Sequence, residues 1–264
     1  MTNIARSVLI CAAAAAAVVA SQYVSADDAV SLAKYNDAKA HFSHRENPAE
    51  VDAALAIVNE ALPGATDDDI KFDLWILKSH IEFWKGAHLT DSKEMIAQFE
   101  EGMKSAAAAR AVNEDYAESY YMHGLNLARW GKTVGKLKAA FRLTELKTSF
   151  SDAQARSDRN GNPGERIDSY GPDRILGKVY FELPWPMGDN KKSLKHLEKA
   201  FNGDPTRVLN VVYYAETLAE TGSKDKAIQL LDEILKKDPA SLNPDKIQEN
   251  TEELVQAQEL RNKL

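Results

Sequence analysis

The chain has 264 residues, of which 44% are hydrophobic, and it carries a formal net charge of −7 at pH 7. This length permits one large domain or an array of repeats with an extended core, and the composition excludes a long disordered region. The acidic balance excludes bulk attraction to nucleic acid, so we expect no nucleic-acid partner.

The first 26 residues have the features of a secretory signal peptide. A short basic start (1–6) precedes an unbroken run of small and apolar residues (7–20), and residues 24–26 have the small-residue spacing of a cleavage site. The apolar run is short for a bilayer-spanning helix, so an uncleaved N-terminal anchor is the less favoured alternative. Cleavage after Ala26 leaves residues 27–264 as the mature chain and predicts a periplasmic protein.

The single cysteine of the chain, Cys11, lies inside this predicted signal peptide. The lipidated cysteine of a bacterial lipoprotein follows a small residue, whereas Ile10 precedes Cys11, so a lipid anchor is disfavoured. The mature chain then has no cysteine and must be stabilised by packing without disulfides. No later stretch approaches about 18 consecutive apolar residues, so no transmembrane segment is expected in the mature chain.

The spacing of apolar residues is helical along nearly the whole mature chain. Leu74, Leu77, Ile81 and Trp84 fall on one face of a helix. Residues 208–214 have a β-rich composition, but helical spacing continues into the residues that follow, so this segment is predicted to be a buried helix. The fold is therefore predicted to be all-α.

Glycine and proline divide these helices into pairs. Pro205 and Pro239 lie 34 residues apart, which is the period of tetratricopeptide repeats. The other predicted turns carry a glycine, a residue that ends helices in the left-handed conformation. These turns are at Gly86, Gly131, Gly188 and Gly222.

The unit that ends at Pro239 fits the tetratricopeptide pattern without gaps. The positions that require small or apolar residues hold Val211, Tyr214, Ala215, Leu218, Ala227, Leu231 and Ile234. The preceding unit fits with about four inserted residues, and 170–241 is the best-matching part of the chain. We predict a tetratricopeptide-like α-solenoid over 27–264, with four to five stacked helix hairpins and a C-terminal capping helix from about residue 244 to 264.

The segment 171–189 contains an unusual cation and an unusual aromatic residue. Pro172 suits the first turn of a helix, and Gly177 allows a second helix to approach closely. Arg174 lies in that first turn, where a cation is mildly unfavourable against the helix dipole. We expect either a salt bridge, with Asp173, Asp189 or Glu216 as the partner, or an anionic ligand.

Trp185 stands between Pro184 and Pro186, and a residue before proline is pushed towards extended geometry. The helix must therefore end near Leu183, and a stiff loop must present the indole before the next helix begins near Lys191. Trp185 either fills a gap between neighbouring helix pairs or lines a ligand cleft or subunit contact, where tryptophan is enriched.

The same part of the chain resembles a known family. The resemblance is carried by Gly171, Pro172, Arg174, Leu176, Gly177, Tyr180, Pro184, Pro186, Gly188, Asp189, Leu194, His196, Leu197, Lys199, Ala200, Phe201 and Pro205. This pattern is similar to the T-component family of tripartite ATP-independent periplasmic (TRAP) transporters. The resemblance implies an exported, non-catalytic helical-repeat protein that associates with a solute-binding protein and forms a homotrimer around a central pore. The absence of a good lipidation motif departs from the family and favours a free periplasmic protein.

The sequence lacks the common catalytic and metal-binding motifs HExxH, CxxC, G-x-S-x-G and a Gly-rich phosphate loop. His41 and His44 lie one helical turn apart near Glu46, a spacing that suits a metal, but a fraying helix end is the favoured interpretation. The polar loop 158–168 offers several oxygens for calcium, although Pro163 stands where an EF-hand loop requires glycine. We therefore predict no metal, no cofactor and no enzymatic activity.

Several aromatic residues lie near predicted helix ends, where they pack in the core or line a cavity for an apolar ligand. With Arg174 they form the predicted set for ligand or partner binding: Arg174, Tyr180, Trp185, Asp189, Tyr120, Trp130 and Tyr213. A basic stretch on one predicted helix is interpreted as a solvated face; it contains Lys132, Lys136, Lys138, Arg142 and Lys147.

These features together predict an exported scaffold that binds a protein partner or a small apolar ligand on its concave surface, as an accessory to solute transport. An envelope-assembly adaptor and a structural homo-oligomer are the alternatives. An enzyme that uses the polar loop 158–168 or the pair His41 and His44 is the less favoured hypothesis from another class, and it requires a pocket with at least two convergent titratable groups.

Overall fold

The computed structural model describes residues 25–264, and within this range every regular element is a helix. The predicted signal peptide, except for Ser25 and Ala26, lies outside the described residues. The α-helices are α1 (Ala26–Ser43), α2 (Pro48–Ala61), α3 (Asp68–His88), α4 (Ser92–Val112), α5 (Ala117–Val134), α6 (Lys136–Ala140), α7 (Leu143–Gln154), α8 (Gly171–Glu182), α9 (Asn190–Gly203), α10 (Val208–Glu220), α11 (Lys224–Ile234), α12 (Pro239–Leu242) and α13 (Ile247–Lys263). Short 3₁₀ segments occupy Leu62–Gly64, Gly164–Arg166 and Pro244–Lys246.

The longer helices form five hairpins that stack side by side. The hairpins are α1 with α2, α3 with α4, α5 with α7, α8 with α9, and α10 with α11, and α13 packs on both helices of the last hairpin. This arrangement confirms the predicted all-α stack of four to five pairs with a capping helix. Within residues 25–264, no helix combines the length and the apolar character needed to cross a bilayer.

The predicted repeat positions form the core of the last hairpin. Val211, Tyr214, Ala215, Leu218, Ala227, Leu231 and Ile234 are all at most 6% exposed. The residues are buried because a single hairpin cannot cover its own apolar face and must lean on its neighbours and on α13. Residues 208–214 begin the buried helix α10, as predicted, rather than a strand.

Close approach between α8 and α9 depends on Gly177. A Cβ atom built at Gly177 would lie 2.5 Å from Cγ of Leu197, which is fully buried. The glycine therefore allows the two helices of this hairpin to touch, as the sequence predicts.

Two of the predicted turns are wrong. Gly86 lies inside α3, where its bare Cα makes room for the ring of Phe99, and Gly131 lies inside α5. Helix α5 continues to Val134 and ends at Gly135, whose φ of +92° is in the left-handed region. A glycine that permits close helix packing and a glycine that ends a helix have the same letter in the sequence, and only the packing separates them. Gly222, with φ +93°, does occupy a turn.

The C-terminal helix also reaches the beginning of the stack. Arg45, in the turn between α1 and α2, pairs with Glu249 of α13 across 204 residues of chain, with an Nη2–Oε2 distance of 2.5 Å. Nε2 of His88 lies 3.6 Å from Oε1 of Glu252. The stack is therefore curved, because its first turn and its last helix meet across the inner face.

Candidate functional site

The predicted site residues do not converge on one cavity. Arg174 and Tyr213 lie on the inner side of the curve, Trp130 and Trp185 lie at the edge where hairpin turns are exposed, and Tyr120 lies elsewhere in the stack. Two features stand out among them. The first is a buried charged group that we call the inner cluster, formed by Asp168, Arg174, Arg207, Lys246 and Glu253. The second is a cleft with exposed aromatic neighbours at the edge.

Arg174 is the centre of the inner cluster. Its side chain is 2% exposed, and its Nη2 pairs with the carboxylate of Asp168. Nη1 donates to the backbone oxygen of Asp168 at 2.9 Å and to Oδ1 of Asn210 at 3.1 Å. The prediction of a salt bridge is thus confirmed, whereas the three predicted partners are wrong.

Each of those predicted partners is engaged elsewhere. Asp173 accepts from Nδ1 of His196 at 2.7 Å, and Asp189 caps α9 by accepting from the amides of the helix start at 3.0 and 3.1 Å. Glu216 pairs with Lys178 at 2.5 Å. The true partner, Asp168, comes from a loop whose course no periodic pattern reveals.

The chain makes a left-handed turn just before α8. Asp168, Ser169 and Tyr170 have φ angles of 48°, 56° and 64°, a run of three non-glycine residues in a region that costs about 1–3 kcal/mol each. Arg174 holds the carbonyl oxygens of the first two, and Nδ2 of Asn210 donates to the oxygen of Ser169 at 3.0 Å. The buried arginine and asparagine therefore stabilise a backbone conformation that is otherwise unfavourable.

The two carboxylates of the inner cluster face different numbers of cations. Asp168 faces Arg174, Lys246 and, at 3.9 Å, Nε of Arg207, while Glu253 pairs with Arg207. Burial raises the pKa of Asp168, but the three cations outweigh it and hold the pKa well below its usual range. Burial raises the pKa of Glu253 despite the neighbouring guanidinium groups. The cluster ties the loop before α8 to α10 and to the segment that leads into α13.

His80 of α3 lies on the same inner side. Its side chain is exposed to solvent, and the imidazole packs edge-on against the ring of Phe42 with 5.0 Å between ring centroids. The surrounding protein and the charges of Arg45 and Lys246 lower the pKa of His80 to about 4. The inner face therefore carries a neutral histidine at pH 7 next to fixed charges.

The predicted tyrosines have mainly packing roles. Tyr120 is 6% exposed and lies between the guanidinium groups of Arg110 and Arg156, each 4.0 Å from the ring centroid. Tyr180 stacks on His196 at 5.8 Å. Tyr213 is half-buried below Lys178, and burial raises its pKa.

The edge cleft lies between the turns of the third and fourth hairpins. Trp130 forms one wall, with its Nε1 donating to Glu100 at 3.1 Å and the guanidinium of Arg142 5.0 Å from its ring centroid. The cleft has a volume of about 90 Å³. Its lining is Leu127, Ala128, Trp130, Gly131, Lys132, Lys136, Ala139, Arg142, Leu143, Leu146, Val179, Glu182 and Leu183.

Trp185 projects into solvent and is 89% exposed. The interpretation that it fills a gap between hairpins is therefore wrong, since α8 ends at Glu182 and the proline-flanked loop carries the indole outward.

The basic stretch is also not one helix, because α5 ends at Val134 and the short α6 (Lys136–Ala140) intervenes before α7. The sequence pattern missed this break because α6 keeps helical composition.

The metal-site alternatives are not assembled. Asp158 accepts from the amides of Asn160 and Asn162 in its own loop at 2.9 and 2.8 Å, whereas Asp168 turns inward to the inner cluster. His41 pairs with Glu50 at 2.5 Å, and His44 lies 3.7 Å from Glu46. Among residues 25–264 there is no group of three or more potential ligands for a metal ion.

Sequence reasoning missed most of the inner cluster and part of the edge. Arg207, Lys246 and Glu253 belong to three different segments, and their meeting depends on the curvature of the whole stack. Leu137 and Phe141 at the edge do carry a signal, because two large apolar residues interrupt a lysine-rich stretch that was interpreted as a solvated face.

Comparison with known proteins supports the repeat architecture. A family model described as tetratricopeptide repeat matches residues 187–244. The crystal structure of TTC0263, a thermophilic tetratricopeptide protein from Thermus thermophilus, aligns with a TM-score of 0.56 and 15% identity, over 84% of this chain and 99% of that one. No curated protein matches the sequence. The fold is therefore tetratricopeptide-like, with the family match confined to residues 187–244, and repeats of this kind suggest a protein-interaction scaffold.

Proposed function

We propose that this chain is an exported, non-catalytic scaffold that serves solute transport as an accessory, in the manner of a TRAP transporter T-component. Its partner is a periplasmic solute-binding protein, and the binding surface is the inner, concave face. The proposal is supported by the predicted signal peptide, by the motif in 171–205 and by the repeat architecture, which presents a curved surface suited to binding.

The observation that carries the proposal is the preformed charged inner face. The buried Arg174 fixes Asp168, and the side chains of Asp168 and Lys246 stay partly exposed on the inner face, beside the exposed His80. A rigid concave face with fixed charges loses little side-chain conformational entropy when a partner binds. The carboxylates there are held by cations, which suits recognition better than proton transfer.

Affinity capture tests the transport version. The purified protein serves as bait in a periplasmic extract of the source organism, and the His80→Ala variant serves as the matched bait with an altered inner face. We expect repeated recovery of a solute-binding protein by the unmodified bait, weaker recovery by His80→Ala, and the same order in titrations with the purified partner. Recovery of no solute-binding protein contradicts the accessory role.

Export is tested separately. The full chain is expressed in a Gram-negative host, the cells are fractionated, and the mass of the protein is measured. We expect periplasmic protein that begins at Asp27. Protein that stays in the cytoplasm with residues 1–26 intact contradicts export.

The resemblance also implies a homotrimer, and a structural homo-oligomer is the alternative function. Light scattering on the purified protein distinguishes a trimer from a monomeric adaptor.

A small apolar ligand on the inner face is a further version of the proposal, and native mass spectrometry of the freshly purified protein would reveal a retained ligand.

A further inference from the structure

The three most exposed large apolar side chains of residues 25–264 lie in two neighbouring turns. Leu137 is 80% exposed, Phe141 is 87% exposed and Trp185 is 89% exposed. The first two lie between α5 and α7, and the third lies between α8 and α9. We call these three residues, two of which are aromatic, the aromatic edge. Scattered apolar residues on a surface need no explanation, but three nearly fully exposed ones in two turns that border the same cleft indicate an interaction site.

The two turns flank the edge cleft. Lys136, Ala139 and Arg142 from the first turn and Leu183 from the second line the same cleft. Its floor belongs to the protein core, since Leu127 is 2% exposed and Leu146 is 8% exposed. An apolar recess of about 90 Å³ beside protruding aromatic residues has the form of a pocket for one bulky side chain of a partner.

The rim of the cleft is positively charged, although the whole chain is acidic. Lys132, Lys136 and Lys138 are exposed, and none of them has an ion-pair partner within the described part of the chain. Two nearby carboxylates are neutralised by cations, because Glu145 pairs with Arg142 at 2.6 Å and Glu182 pairs with Lys178 at 3.2 Å. A third, Glu100, accepts from Nε1 of Trp130 at 3.1 Å. Two unpaired lysines, Lys132 and Lys136, therefore line an apolar recess, and Lys138 follows in the same turn, in a protein of net charge −7.

We propose that the aromatic edge and its cleft form a second docking site, which binds an acidic segment of a protein partner. The segment inserts one bulky apolar side chain into the cleft, its carboxylates face Lys132, Lys136 and Lys138, and Phe141 and Trp185 cover the contact. Complementary charge fixes the choice of partner, and the desolvated aromatic contacts supply most of the affinity. This site is separate from the inner face and does not depend on the transport role.

The geometry favours a protein segment over a membrane surface. A bilayer has no single side chain to fill the cleft, and lipid-binding basic clusters usually contain about 4–8 lysines or arginines, more than the three unpaired here. A second copy of this chain also has a net negative charge and could be attracted to the unpaired lysines. Self-association is therefore a competing outcome, and it must be measured.

The test uses designed peptides and the purified protein. One peptide places Leu, Phe or Trp between glutamates, a second replaces that apolar residue with Ser, and a third replaces the glutamates with lysines. Binding is measured by fluorescence polarisation. We expect binding of the first peptide only, weakened at least about tenfold by Phe141→Ser, by Trp185→Ser or by the triple change Lys132→Glu, Lys136→Glu and Lys138→Glu.

Matched variants separate the site from general effects. Val255→Ser removes an apolar side chain that is 55% exposed on α13, and Lys93→Glu reverses an exposed charge on α4; both should leave peptide binding unchanged. Ala139→Phe fills the cleft while leaving the aromatic edge in place, and it should abolish binding. His80→Ala, which alters the inner face, should not affect the peptides, so failure here and failure of the transport role are distinguishable.

Several results would overturn the proposal. These are no binding by any peptide, equal binding of the acidic and basic peptides, or acidic-peptide binding that survives both Trp185→Ser and Ala139→Phe. Binding to phosphatidylglycerol vesicles without peptide binding would assign the edge to membranes instead. Self-association that increases with concentration and disappears in Trp185→Ser would assign it to a second copy.

Discussion

Arg174 stabilises a turn that its own sequence neighbourhood does not favour. A buried cation is costly unless its charge and its donors are satisfied, and Arg174 meets this requirement through Asp168 and two backbone oxygens of the left-handed turn. The same contacts that pair the charge therefore hold the backbone, so that loss of the side chain removes both.

Replacing Arg174 with methionine tests this dual role. Removal of one partner of a buried pair should lower the free energy of unfolding by about 3–5 kcal/mol, because Asp168 loses a cation and the turn loses its donors. Arg261→Met is the matched control, since Arg261 pairs with Asp232 at 2.7 Å on the surface and its loss should cost much less stability. Urea denaturation measures both. If both variants lost the same free energy of unfolding, the buried pair would contribute no more to stability than the surface pair.

Glu82 makes stability depend on pH in an unusual direction. Its side chain is buried between α3 and α4, accepts from Oγ of Ser105 at 2.6 Å and lies 3.9 Å from Nζ of Lys78. Burial raises the pKa of Glu82 to about 7, against the opposing effect of the hydrogen bond and the lysine.

The raised pKa fixes the sign of the effect. The folded protein binds the proton up to about pH 7, whereas the unfolded chain releases it near the ordinary value of 4.5. The stabilising contribution is complete below pH 4.5 and is lost as the pH rises through 7, by up to about 3 kcal/mol. Glu82→Gln should remove this loss. The measurement is the free energy of unfolding between pH 5 and 8 for both proteins, and parallel curves would contradict the assignment.

At the scale of the helix pair, Gly177 sets the distance between α8 and α9. Gly177→Ala should lower the free energy of unfolding by about 1–3 kcal/mol, because the added Cβ meets the buried Leu197 at 2.5 Å. The stated loss is the net effect, after the roughly 1 kcal/mol that alanine gains over glycine in helix propensity has offset part of the clash.

A double-mutant cycle identifies the cause. Leu197→Ala makes room for the new methyl group, so the double variant should be less destabilised than the sum of the two single variants. Denaturation of all four proteins gives the coupling energy. A stabilising Gly177→Ala, or strictly additive effects, would show that the helices do not touch there.

The hairpins show how far the sequence predicts this fold. In the last repeat every small or apolar position is buried, because a periodic pattern and a periodic structure impose the same requirement on each residue. The turns at Gly86 and Gly131 were wrong because close packing also selects glycine. Helix α6 was not predicted, since five residues are too few for a period to be recognised.

The candidate sites were less predictable than the hairpins. Arg174 stands out in the sequence because its position is unfavourable, but its partner lies beyond a left-handed turn that no local pattern encodes. The exposure of Trp185 follows from the direction in which a stiff loop leaves its helix, and that direction depends on the neighbouring hairpin. The inner cluster requires the curvature of the complete stack.

At the scale of the whole molecule, the curvature brings the two ends of the stack together. Glu249 of α13 pairs with Arg45, which also donates to the backbone oxygen of Phe42 and lies 5.2 Å from the ring centroid of Trp84. Helix α13 thus caps the last hairpin and also contacts the first. This contact defines the inner face on which the proposed function depends.

Cross-linking in solution tests that curvature most directly. In the Cys11→Ser background, Arg45→Cys and Glu249→Cys are introduced together and treated with a short bismaleimide. A control pairs Arg45→Cys with Asn262→Cys, which lies thirteen residues further along α13, roughly 20 Å at the helical rise. We predict efficient intramolecular cross-linking of the first pair and little of the second, read by mass spectrometry. Equal or absent cross-linking of the two pairs would contradict a curved stack whose ends meet.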